Sequence, residues 1–105
     1  MAYIVEYDPL DGELIPDGKV DEACQSIVGY ISANPNWAGY EHVRKIANGL
    51  LIDALRVEIK EGHIPLHALV FRFQGQLLKV NKDGRMWDWP PGFHDQEENY
   101  LMRLL

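Results

Sequence analysis

Alternation opens the chain. Tyr3, Val5 and Tyr7 fall on one side of the 2–7 segment and Ile4 and Glu6 on the other, which predicts a strand. Asp8-Pro9-Leu10-Asp11-Gly12 and Pro16-Asp17-Gly18 predict turns. Between them, Glu13-Leu14-Ile15 forms either a brief return strand or a crossing of the surface. From Val20 the period becomes helical. Val20, Cys24, Ile27, Val28 and Ile31 trace one apolar stripe, so a helix is expected over 21–33 with Asp21 as its N-cap. Asn34-Pro35 ends it, because the residue before a proline is pushed out of the α region.

Tyr40, Val43, Ala47, Leu50, Leu51, Ala54 and Leu55 continue at helical spacing and predict the longest helix, over 37–61. Gly49 costs up to about 1 kcal/mol relative to alanine inside a helix and marks the place for a break. Gly62 suits the position just past the end. A rival strand through Leu55, Val57 and Ile59 is set aside, because a helix gathers Asp53, Arg56 and Lys60 on one solvent face. Strand alternation returns at 67–73, with Leu69, Phe71 and Phe73 inward. Gln74-Gly75 then makes a tight turn, 76–81 returns with Leu78 and Val80 inward, and Lys82-Asp83-Gly84 turns again. Arg85 to Trp89 completes a β-meander over 67–89, and Pro90-Pro91 stops it. Asp95 with Glu98 forms a capping box for a last helix over 95–105, which buries Tyr100, Leu101, Leu104 and Leu105. The expected fold is α+β: one domain, 1–105, with a small antiparallel sheet of three or four strands covered by helices at 21–33, 37–61 and 95–105.

Composition narrows the function. Apolar residues make up 47% and charged residues 25%, the balance of a folded protein with a single core. A formal charge of −6 opposes direct binding to nucleic acid or to an anionic membrane. Lys and Arg interrupt the carboxylates almost everywhere, which argues against mimicry of DNA. Cys24 is the sole cysteine and lies on the first helix's apolar stripe, where it acts as a small hydrophobe. No leader pattern and no long apolar run occurs, so a cytoplasmic location is expected.

Catalytic motifs find little support. His63 and His67 are four apart, but Pro65 interrupts any helix that would bring them together on a metal. The acidic loop around Asp8 and Asp11 fails as a calcium loop, because apolar Pro9 or Ile15 falls on a ligand position; its carboxylates are expected to serve the turns. His42 is expected near a helix start and exposed. His94 beside Asp95 has the composition of a base and its orienter, yet adjacent residues seldom bond in that way. There is no glycine-rich phosphate loop and no Gly-x-Ser-x-Gly elbow, and Ser26 and Ser32 both lie in the first helix. No catalytic, cofactor-binding or metal-binding residue is therefore assigned. Trp87 and Trp89 point the same way beside Arg85. They either form a stacking or docking row or pack under the last helix. Trp37 and Tyr40 pose the same choice.

The stretch Ile59-Lys60-Glu61-Gly62-His63-Ile64-Pro65, followed by a strand pair and then by Val80-Asn81-Lys82-Asp83-Gly84-Arg85-Met86-Trp87-Asp88-Trp89-Pro90-Pro91-Gly92-Phe93-His94-Asp95, resembles the C-terminal tail of predicted ABC-type ATPases of the overcoming-lysogenisation-defect group. The resemblance covers about residues 47–105, and its specific part is Asp-Trp-Pro-x-Gly-Phe. Those ATPases carry a Thr-His-Ser segment that senses the nucleotide phosphate. The equivalent position here is Ala47-Asn48-Gly49, without the histidine or the serine, and the nucleotide-binding motifs are also missing. The resemblance thus implies a detached ATPase tail, acting as a small subunit or regulator of a larger ATPase or defence-type complex. The functional expectation is a non-catalytic protein–protein interaction module, monomeric or a small homo-oligomer, with Trp37, Tyr40, Arg85, Trp87, Trp89 and His94 as partner-binding residues. The alternative is a small-ligand or enzymatic domain with a pocket near Arg85, Trp87, His94 and Asp95.

Overall fold

The computed structural model describes residues 3–33 and 42–86. The described elements run β1 (Tyr3–Tyr7), α1 (Val20–Ala33), β2 (His42–Ile46), α2 (Leu50–Lys60), β3 (Leu69–Phe73) and β4 (Gln76–Leu78), with 3-10 turns at Asp17–Lys19 and Leu66–Ala68. The fold is α+β, as the alternating strand and helix periods predict. The strand order is β2-β1-β3-β4.

The expectation of an antiparallel sheet is corrected. β1 pairs in parallel with both β2 and β3, and only β4 runs antiparallel, to β3. The cause lies in the connections. Each helix returns the chain to the end from which the preceding strand began, so β1, β2 and β3 share a direction, whereas the two-residue turn after β3 must reverse it. Gln74 and Gly75 make that reversal at φ 50° and 80°, the left-handed pair that suits a right-twisted hairpin. A glutamine held there costs about 1 kcal/mol.

Register sets the core. Tyr3 lies opposite His42 and Leu69, Val5 opposite Arg44 and Phe71, and Tyr7 opposite Ile46 and Phe73. Their shared face joins one cluster with Val20, Cys24, Ile27 and Ile31 of α1 and Leu51, Ile52 and Leu55 of α2. Val5, Leu55 and Phe71 have no exposed surface, and each contributes about 1.5–3 kcal/mol by its burial. The opposite face carries Val43, Ile4 and Val70 in one row and Lys45, Glu6 and Arg72 in the next. Glu6 bridges that second row, with Oε2 3.5 Å from Lys45 Nζ and Oε1 bonded to Arg72 Nε.

The single helix expected over 37–61 is also corrected; residues 37–41 of it lie outside the described segments. Residues 42–46 are an edge strand, and the helix starts only at Leu50. An edge strand with polar side chains on both faces shows little alternation, so Val43 and Ala47 fitted a helical spacing equally well. Asn48 makes the break. Its amide donates to the Ile15 carbonyl at 2.7 Å and to Asp17 Oδ1 at 3.2 Å, while its Oδ1 accepts the N–H of Leu50 at 2.9 Å. Helix α1 begins at Val20, so Asp21 sits inside the first turn rather than at the cap. Gly62 ends α2 at φ 81°, with its N–H donated to Ile59 O at 3.1 Å. The hairpin of the expected meander is present. Arg85 and Met86 are not in a strand, while Trp87–Trp89 and the 95–105 helix lie outside the described segments.

Candidate functional site

Arg85 is the one sequence-predicted contact residue within the described segments; Trp37, Tyr40, Trp87, Trp89 and His94, with Asp95, lie outside them. Its surroundings build up from Asn81. The Asn81 Oδ1 accepts the N–H of Asp83 at 2.9 Å and that of Arg85 at 3.1 Å. The Asn81 carbonyl accepts the Gly84 N–H at 2.9 Å, and the Asn81 N–H donates to the Arg85 carbonyl at 2.9 Å. Gly84 has φ 77°, a value that alanine or any larger residue would resist. The result is a closed loop with the Arg85 side chain exposed and Met86 buried behind it.

A second support comes from beneath. Arg56 Nε donates to the Gly84 carbonyl at 2.7 Å, and Arg56 Nη1 donates to Asp53 Oδ1 at 3.1 Å. Asp53 is 0% and Arg56 3% exposed, so the solvent face expected for them on α2 is wrong; Lys60 alone of the three is exposed. A signal for this exists in the sequence. Leu50-Leu51-Ile52 and Ala54-Leu55 with Val57 and Ile59 leave α2 apolar nearly all round, and a helix of that kind is buried together with whatever charges it carries. Burial holds the Arg56 guanidinium below its ordinary range, and Asp53 partly restores it. Removing two charges from water costs several kcal/mol per ion before the pair repays it, so the arrangement contributes geometry more than stability.

A different polar cluster lies at the β2 edge. The rings of Tyr3 and Tyr30 meet edge to face at 5.6 Å, and His42 lies 4.8 Å from Tyr3 and 4.9 Å from Tyr30. Arg44 Nη2 bonds Glu13 Oε2 at 2.9 Å, which raises the Arg44 pKa against the opposing effect of burial. Burial pushes the Tyr3 phenol above its usual value of 10.0, while Arg44 opposes the shift. An open cleft of about 330 Å³ adjoins this cluster, lined by Glu13, Lys19, Glu22, Ser26 and Arg44. Its charges are matched in pairs, since Lys19 Nζ also lies 3.4 Å from Glu22.

The remaining candidates separate. His63 Nδ1 is 2.6 Å from Glu58 Oε2, and His67 lies apart in the 3-10 turn before β3. Among the described residues no group of three or more His, Cys, Asp or Glu is placed to hold a metal ion, and no helix is long and apolar enough to cross a membrane. Cys24 is buried within the α1 stripe. Chemically, the Asn81–Arg85 loop holds the backbone of an exposed arginine, whose guanidinium is suited to two-pronged pairing with a carboxylate or phosphate. Comparison of the chain with protein families, with curated proteins and with solved structures returns no match.

Proposed function

We propose that the chain is a non-catalytic protein–protein interaction module whose contact surface is centred on Arg85 and the aromatic run Trp87-Asp88-Trp89 that follows it in sequence. The observation that carries this reading is the buried Asp53–Arg56 pair bonded to the Gly84 carbonyl. A small domain that commits two desolvated charges to one carbonyl gains a fixed position for the next side chain, and the next side chain is an exposed arginine. Arginine and tryptophan are the side chains most enriched among energetically dominant interface residues. The likeness of residues 47–105 to an ATPase tail supports a larger ATPase as the partner, with this chain as its subunit or regulator in the cytoplasm.

The test is affinity capture from the native cell with the wild-type chain, Arg85→Glu and Trp87→Ala, each variant first shown by circular dichroism to keep the wild-type fold. One ATPase chain is expected with the wild type, and its recovery drops about tenfold or more with Arg85→Glu. Equal recovery with all three chains, or no ATPase among the captured proteins, overturns the proposal.

A further inference from the structure

A cleft of about 400 Å³ opens at the carboxyl ends of β1 and β3, lined by Glu6, Tyr7, Asp8, Leu10, Phe73 and Gln74. Its place in the topology is informative. The loop leaving β1 leads toward α1 and β2, whereas the turn leaving β3 leads to β4, on the other side of the sheet. The exits of the two neighbouring parallel strands diverge, and the cleft lies between them.

We propose that this cleft binds an organic cation, a primary amine or guanidinium carried on an aliphatic stem. Asp8 supplies the counter-charge. Its Oδ1 accepts the N–H of Leu10 at 3.1 Å and that of Asp11 at 3.0 Å, which closes the turn; the turn makes no use of Oδ2 on this half-buried side chain. Nor does the turn need a charge. Asn81 performs the same two-fold acceptance with a neutral amide. The Glu6 carboxylate is already committed to Lys45 and Arg72, so Asp8 is the acid left for a ligand. Tyr7 and Phe73, whose rings lie 5.8 Å apart, line the cleft, and Leu10, 91% exposed, offers a lip for the stem. Gln74 occupies a left-handed position that asparagine or glycine would fill with less strain, and its longer side chain lines the cleft. The chain's charge of −6 draws cations toward it.

Two sources can present this chemistry: a free diamine, or a lysine side chain of another protein. NMR titration of the whole chain with cadaverine, and separately with acetyl-Gly-Lys-Gly-amide, distinguishes them. The expected result is saturable shifts at the amides of Asp8, Leu10, Gln74 and Gly75, with a Kd on the order of 1 mM or tighter for the better probe. The tighter probe identifies the source. Asp8→Asn keeps the turn acceptor and weakens binding about tenfold. Gln74→Gly relieves the turn, so it raises the melting temperature while weakening the same binding, a split that a purely structural glutamine would not produce. Absence of shifts with both probes, shifts centred elsewhere, or an Asp8→Asn chain that binds as well as wild type overturns the proposal.

Discussion

The loops Asp8–Gly12 and Asn81–Arg85 close on the same two kinds of acceptor and are fixed by opposite means. In each, the first residue's Oδ1 accepts two backbone N–H groups and its carbonyl accepts a third, from Gly12 in one and Gly84 in the other. The first loop is wedged against β2. The Asp8 N–H donates to Ile46 O at 2.8 Å, and a methyl group on Gly12 would collide with the Ile46 carbonyl carbon and come within 2.6 Å of both Asp8 O and Ile46 O. The second is held from below by a buried guanidinium. What reaches solvent differs accordingly. The wedged loop leaves a carboxylate and a leucine at a cleft, and the held loop leaves an arginine. The difference teaches that one turn motif can be made rigid by sterics or by a buried charge, and that only the second ties a distant helix to the exposed side chain.

The largest expected effect comes from cutting that tie. Arg56→Met leaves Asp53 buried without its cation and should cost about 3–5 kcal/mol in urea unfolding. Replacing both partners, Asp53→Leu with Arg56→Met, should recover part of the loss, because no buried charge remains while the Gly84 carbonyl still lacks its donor. Next is the wedged loop: Gly12→Ala should cost about 2–3 kcal/mol, since the obstruction is backbone and cannot swing aside. Gly84→Ala should cost about 1–2 kcal/mol for its φ of 77°. Asn81→Ala strips the acceptor from two N–H groups and should cost about 1–2 kcal/mol, whereas Asp8→Asn should change stability by less than about 0.5 kcal/mol.

The smallest effect lies away from both loops. Tyr3 has its phenol pKa raised in the folded chain by burial, so its contribution is complete below the ordinary value of 10.0 and is lost as pH rises through the higher folded value. Stability should therefore decline above about pH 10. Tyr3→Phe should flatten part of that decline, and an unchanged slope would remove Tyr3 as its source.

Much of this was legible in the sequence. The stripe of α1, the inward set Leu69, Phe71 and Phe73, the Gln74-Gly75 reversal and the terminating Gly62 all follow from local periodicity and glycine geometry, which act over a few residues. What escaped depends on neighbours distant in the chain. His42–Ile46 is a strand because β1 offers it an edge, and nothing within the five residues states that. Helical spacing gathers Asp53 and Arg56 with Lys60 on one face, which points to solvent, although the apolar residues around them on α2 require burial. Arg85 stands out in the sequence by its place beside the tryptophans, while the strut beneath it is out of reach of any local pattern. The cleft beside Asp8 depends on strand order, which the antiparallel expectation had wrong.

The measurement that bears most directly on this account is amide hydrogen exchange in the Asp53→Leu/Arg56→Met double variant. If the buried pair exists to fix the loop, the strands β1 and β3 keep their protection while the amides of Gly84 and Arg85 lose theirs, and capture of the proposed ATPase partner is lost with them. Wild-type protection at those two amides, or undiminished capture by the folded double variant, would contradict it.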